Sequence, residues 1–92
     1  MADIIITLKI MPESVNIDLK ELENKVVESI QEFTGETEIK KEIEPVAFGL
    51  KALKITFVMD ENRGGTEELE NNIAGLDGVN SVEVIDVRRA IG

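Results

Sequence analysis

The sequence predicts an α+β fold, a two-layer sandwich in which a four-stranded antiparallel sheet carries two helices on one face. Three observations point to it. The periodicities along the chain run strand, helix, strand, strand, helix, strand. Each helical segment has a single apolar stripe, and the strands share one richer apolar face, which is what two packed layers require. With 92 residues and a hydrophobic fraction of 42%, the chain suits one core and a single domain over residues 1–92.

The first strand is DIIITLKIM, Asp3 to Met11, with Ile4, Ile6, Leu8 and Ile10 on one parity and Ile5, Thr7 and Lys9 on the other. Pro12 breaks it. Asp18-Leu-Lys-Glu21 forms a capping box, with Ile17 and Leu22 in the two positions of a hydrophobic staple, so a helix starts near Asp18. Leu19, Leu22, Val26, Ile30 and Phe33 form its apolar stripe, and Gly35 is placed to end it in a left-handed conformation. TEIKKEIE, Thr37 to Glu44, has only Ile39 and Ile43 as clearly apolar residues, the composition of an edge strand.

The third strand, Leu50 to Met59, places Leu53, Ile55, Phe57 and Met59 on its core parity. After the loop DENRGG, Thr66 caps a second helix whose first turn holds Glu67 and Glu68; Leu69, Ile73 and Leu76 are its stripe and Gly78 closes it. The last strand runs from about Asn80 to Val87. Its apolar parity changes between Val82/Val84 and Ile85/Val87, which predicts a bulge near Val84. The order β-α-β-β-α-β is that of the ferredoxin-like split βαβ sandwich.

Composition narrows the function. Cysteine and histidine are both absent, which excludes thiolate catalysis and zinc-thiolate sites and removes the commonest general base and metal ligand. With 19 acidic and 10 basic side chains the net charge is −9, so free nucleic acid is repelled and a basic partner patch is favoured. No segment has the ~18 uncharged apolar residues of a membrane span, and the start has no secretory pattern, so a cytoplasmic location is the expectation.

Three places invite a functional reading. Phe48 is one of only three phenylalanines in a chain without tyrosine or tryptophan, and it lies at the turn between the second and third strands, out of phase with the core parity. Either it folds back to plug the end of the sandwich, or it stands exposed as an anchor for a protein partner, with Lys51 beside it. Arg88 and Arg89 end the last strand against the charge trend of the chain. Either they are solvated terminal charges, or a flexible cationic end reaches an acidic or phosphate-bearing site on another molecule.

The loop Asp60-Glu61-Asn62-Arg63-Gly64-Gly65 partly matches a calcium loop, but its twelfth position is Asn71 instead of a bidentate glutamate. The same glycines precede a helix start crowded with Glu67, Glu68 and Glu70 and lacking the P-loop lysine, so neither a metal nor a nucleotide is expected on this chain.

Pro45-Val46-Ala47-Phe48-Gly49-Leu50-Lys51, followed by Leu53 and Ile55, then Asp60 leading to Gly65-Thr66 and Leu69-Glu70, resembles the exchange domain of the translation elongation factor 1-beta family, in its short archaeal form. The resemblance implies the same ferredoxin-like sandwich. It also implies guanine-nucleotide exchange on elongation factor 1-alpha, the GTPase that delivers aminoacyl-tRNA, with no bond chemistry, no cofactor and no direct contact with nucleic acid.

By the same resemblance Phe48, with Gly49 and Lys51, packs on the GTPase, while a basic residue near the C-terminus enters between its switch segments near magnesium and phosphate. The aligned residue here is Arg89, next to Arg88 and followed by Ala90-Ile91-Gly92, where eukaryotic members have lysine followed by one aliphatic residue. The ring and the cations are expected to grip one target together, and the free protein to be a monomer. Two alternatives share the architecture: a dimeric small-molecule-sensing regulatory domain, and an acylphosphatase-like enzyme, whose phosphate-binding arginine the segment Met11-Pro12-Glu13-Ser14 does not supply.

Overall fold

The computed structural model describes residues 3–35, 37–63 and 65–90, the last without its side chain. Their elements run β1 (Asp3–Pro12), α1 (Leu19–Thr34), β2 (Ile39–Pro45), a 3₁₀ turn (Ala47–Gly49), β3 (Lys51–Asp60), a second 3₁₀ turn (Glu61–Arg63), α2 (Glu67–Ala74) and β4 (Val79–Ala90). The sheet is antiparallel throughout with spatial order β2-β3-β1-β4. Order and pairing are those of the ferredoxin-like sandwich, as the periodicities predict.

Alternation decides which side of the sheet is dry. Ile6, Leu8 and Ile10 of β1 stand beside Leu53, Ile55 and Phe57 of β3 and are buried under both helices. From above they meet Leu22, Val26 and Ile30 of α1 and Leu69 and Ile73 of α2, all fully or almost fully removed from water. The opposite parity, Ile5, Thr7 and Lys9 with Lys54, Thr56 and Val58, faces away from the helices and is only half-buried. Thr7 and Thr56 share a 3.0 Å hydrogen bond across this open face.

Local signals account for the helix ends. The Asp18 carboxylate accepts from the N–H groups of Lys20 (3.0 Å) and Glu21 (3.2 Å), satisfying two of the free donors at the start of α1. The reciprocal arm of the box is not formed, since Glu21 instead pairs with Lys25 one turn on, at 3.6 Å. Gly35 does end α1 at positive φ, but its ψ of −166° is the mirror-extended region and not the left-handed helical one.

Thr66 is the N-cap of α2 without capping through its side chain; its hydroxyl donates to Glu70 at 2.8 Å. That helix stops at Ala74 with Gly75 as its C-cap, earlier than Gly78. Gly78 instead forms the turn into β4, at φ 93° against the Ile17 side chain.

The last strand is longer than its apolar pattern indicates. It continues through Arg88, Arg89 and Ala90 because β1 is there to pair with it down to Asp3. Register along β4 shifts between Val84 and Asp86, leaving Ile85 as the extra residue, one position from the expected bulge; a second shift falls between Val79 and Ser81. Val82, Val84, Val87 and Arg89 consequently share the helix side, while Glu83, Asp86 and Arg88 share the open face.

Candidate functional site

The three phenylalanines have three fates. Phe57 is fully buried in the core, Phe33 is half-buried beneath the Arg63 guanidinium at 5.1 Å from its ring centre, and Phe48 is 96% exposed. Phe48 therefore does not plug the sandwich. It sits at the tip of the β2–β3 connection, where Val46 N–H donates to the Leu50 carbonyl at 2.8 Å and Leu50 N–H to the Ala47 carbonyl at 3.2 Å.

Closing so short a turn needs two successive left-handed residues, Phe48 (φ 61°, ψ 30°) and Gly49 (φ 77°). Gly49 adopts this freely. For Phe48 the Cβ makes it unfavourable by about 1–2 kcal/mol, so the ring is held out in water by a backbone conformation that disfavours it.

Around that tip lies a small groove of about 180 Å³ lined by Pro12, Ser14, Val15, Gly49 and Lys51, among others. Val15, in the loop before α1, is 60% exposed, and a Cβ placed on Gly49 would lie 3.7 Å from it. Phe48, Gly49, Lys51 and Val15 thus form one partly apolar end. Sequence reasoning missed Val15, because its approach to Gly49 is a tertiary contact between two loops. An isolated valine in a polar loop was the available signal.

Arg88 and Arg89 are elsewhere. Both lie inside β4, opposite Ile5 and Ile4, so of the two alternatives the flexible end does not describe Arg88 and Arg89, which are strand residues; Ile91 and Gly92 fall outside the described residues. Each arginine already has an acidic partner. Arg88 Nε is 2.9 Å from Asp86 on the open face, and Arg89 donates through Nε (3.2 Å) and Nη2 (2.6 Å) to one oxygen of Glu61, in the turn after β3. The hydrogen bonds and charge of Glu61 raise the Arg89 pKa above its already high ordinary value. Glu61 is 28 residues from Arg89 in the chain, and nothing in the sequence pairs them.

The fold does not bring the two groups together. Lys51 and Leu53 begin β3 at the Ile10 end of β1, whereas Arg89 faces Ile4 at the other end. From Ile10 to Ile4 is six steps of extended chain, roughly 20 Å, and the Phe48 turn projects further still. The described body is 42 Å along its longest axis. A single compact grip of ring and cations is therefore not what this fold builds; it carries one feature at each end of the sheet.

In the Asp60–Gly65 loop, Asp60 Oδ1 accepts from Asn62 N–H at 2.8 Å, and Gly64 lies outside the described residues. Among the described residues no group of three or more carboxylates is placed to hold a metal ion, and no helix is long and apolar enough to cross a membrane.

Sandwich topology makes this a ferredoxin-like domain, and its β2–β3 turn presents an exposed aromatic. Among solved structures the chain is similar to the de novo designed protein Foldit4, with a TM-score of 0.62 at 17% identity over 98% of both chains, which is a likeness of fold alone. Sequence comparison goes further. Residues 5–90 match the model of the EF-1 guanine nucleotide exchange domain. The elongation factor 1-beta of Methanothermobacter thermautotrophicus is 44% identical over 89 residues, covering 97% of this chain and 98% of the relative. That of Staphylothermus marinus is 47% identical over 91 residues, with coverage of 97% and 98%. The chain belongs to the EF-1 guanine nucleotide exchange domain family. The sensor and acylphosphatase-type alternatives are set aside.

Proposed function

We infer that this protein is a guanine-nucleotide exchange factor for elongation factor 1-alpha, accelerating GDP loss so that GTP can rebind. The observation that carries the reading is the family match across residues 5–90. The presentation of Phe48, 96% exposed on a strained turn inside the motif that the family resemblance singles out, supports it.

Phe48 is the anchor, with Gly49 permitting the turn and Lys51 on its rim. A ring already held out of the core loses little on docking, and its apolar surface is available to a pocket on the GTPase. Arg89, and Arg88 beside it, address the region of the bound phosphates and magnesium from the other end of the sheet. To engage there, Arg89 exchanges the Glu61 carboxylate for an acidic or phosphate group of its target.

No bond is made or broken in this scheme. A factor that favours the nucleotide-free GTPase must lower nucleotide affinity, and by linkage nucleotide lowers the affinity for the factor by the same ratio. The free protein acts as a cytoplasmic monomer. The deciding measurement is the release of fluorescently labelled GDP from purified elongation factor 1-alpha with and without the protein. Acceleration is expected. An unchanged rate at saturating protein would remove the reading; an unchanged half-maximal concentration with Phe48→Ala would remove Phe48 from it, and an unchanged saturated rate with Arg89→Ala would remove Arg89.

A further inference from the structure

A partner that meets both ends of the sheet passes along one of its two faces or along an edge strand, β2 or β4. Along the helix layer the exposed side chains of α1 and α2 include Glu21, Glu28, Glu32, Glu67 and Glu68. The open face has a different arrangement. Its central cross-strand row reads Glu42, Lys54, Lys9, Glu83 from β2 to β4, so that two lysines stand directly opposite each other on β1 and β3.

Like charges in direct cross-strand register repel, and each lysine of this pair has a glutamate opposite it on its other side, Glu42 for Lys54 and Glu83 for Lys9. Lys54 has Glu44 at 3.4 Å. Lys9 has no counter-ion: although Glu83 is its register neighbour, among the described residues no carboxylate lies within 4.0 Å of its ammonium.

The surroundings suit a contact surface. On the Arg88 side of the lysine row come the hydrogen-bonded Thr7–Thr56 pair and then Ile5 and Val58. Arg88 itself projects on this face, opposite Ile5. The open face therefore joins the Phe48 end to Arg88 along the central strands β1 and β3, with its carboxylates Glu42, Glu44, Glu83 and Asp86 on the flanking strands.

We propose that the uncovered face of the sheet is the surface along which the GTPase lies, and that the GTPase presents a carboxylate to the Lys9–Lys54 pair. The proposal rests on the exchange reading and adds to it a site between the two ends. Two ammonium groups within cross-strand distance can both donate to one carboxylate, and the contact strengthens as docking excludes water from it. A partner carboxylate would supply the close contact that Lys9 lacks among the described residues, and so make the lysine pair a recognition element.

The test is a titration of the intact protein against purified nucleotide-free elongation factor 1-alpha, with GDP release measured alongside. Lys9→Glu and Lys54→Glu are each expected to weaken binding on the order of tenfold or more. Lys20→Glu, the same change of charge on the helix side, is expected to stay within about twofold and controls for long-range steering. Lys9→Gln separates recognition from folding: it should weaken binding several-fold while its unfolding midpoint stays at or above that of the unaltered chain, because the opposed charge is gone.

Lys9→Glu binding no worse than Lys20→Glu, in a preparation whose unaltered protein accelerates GDP release, overturns the assignment of this face. A lowered midpoint for Lys9→Gln that accounts for its weaker binding overturns it too. No acceleration by the unaltered protein overturns the exchange reading beneath it.

Discussion

Replacing Phe48 by glycine should leave the fold as stable as before or more so, while disabling the partner contact. The ring is 96% exposed, so about 4% of a side-chain surface of roughly 200 Å² is covered, worth only about 0.2 kcal/mol at 25 cal/mol/Å². Against that small loss, glycine at φ 61° relieves about 1–2 kcal/mol of left-handed strain and gives back about 0.5–1 kcal/mol through the freer unfolded chain. The sum runs from about −0.2 to about 1.3 kcal/mol of stabilisation, a melting midpoint that is unchanged or raised by up to several degrees for a domain of this size. Far-UV circular dichroism is the suitable probe, since the chain has neither tryptophan nor tyrosine. Binding to elongation factor 1-alpha should meanwhile fall at least tenfold, as for an aromatic anchor. A variant destabilised by more than about 1 kcal/mol would refute the reasoning, because it would mean that Phe48 packs against its own protein in solution.

Other consequences can be checked with the same preparations. Asp18→Ala removes the acceptor for two N–H groups at the start of α1 and should lower stability by about 0.5–2 kcal/mol in urea unfolding, without altering GDP release. Arg89→Ala should slow factor-dependent GDP release on the order of tenfold, whereas Arg89→Lys, which keeps the charge, should recover most of the rate. Arg89 has its pKa raised in the folded state, so its contribution to stability is complete below its ordinary value and is lost only at far more alkaline pH. With no histidine or cysteine present, the unfolding midpoint should change little between about pH 6 and 9. A marked titration in that window would contradict the assignment of its ion pairs.

Element type and order were legible because each rests on a periodicity local to its own residues. The even parity of Ile6, Leu8 and Ile10, the odd parity of Leu53, Ile55 and Phe57, and the cap at Asp18 needed no knowledge of neighbours. Where a neighbour decides, local reading fell short. The continuation of β4 to Ala90 depends on β1 reaching Asp3, and the place of Gly78, in the turn into β4 and not at the end of α2, goes with its contact to the distant Ile17. The candidate site divided in the same way. Phe48 was identifiable as out of phase, but its exposure follows from backbone angles at the turn that parity does not encode. The Glu61–Arg89 and Lys9–Lys54 relations and the distance between the two ends exist only once the register of the sheet is known.

That distance bears on how affinity and exchange are divided. Arg89 is already ion-paired, so meeting an acidic group of a partner swaps one carboxylate for another and adds little net binding. Phe48 has no such prior contact: burying its ring gains about 2–3 kcal/mol. Affinity then belongs to the aromatic end and perturbation of the nucleotide site to the cationic end. The rigid sheet between them fixes where the cation arrives once the ring is seated. In a chain so arranged, truncating Phe48 raises the concentration of factor needed for half-maximal exchange, and truncating Arg89 lowers the rate reached at saturation.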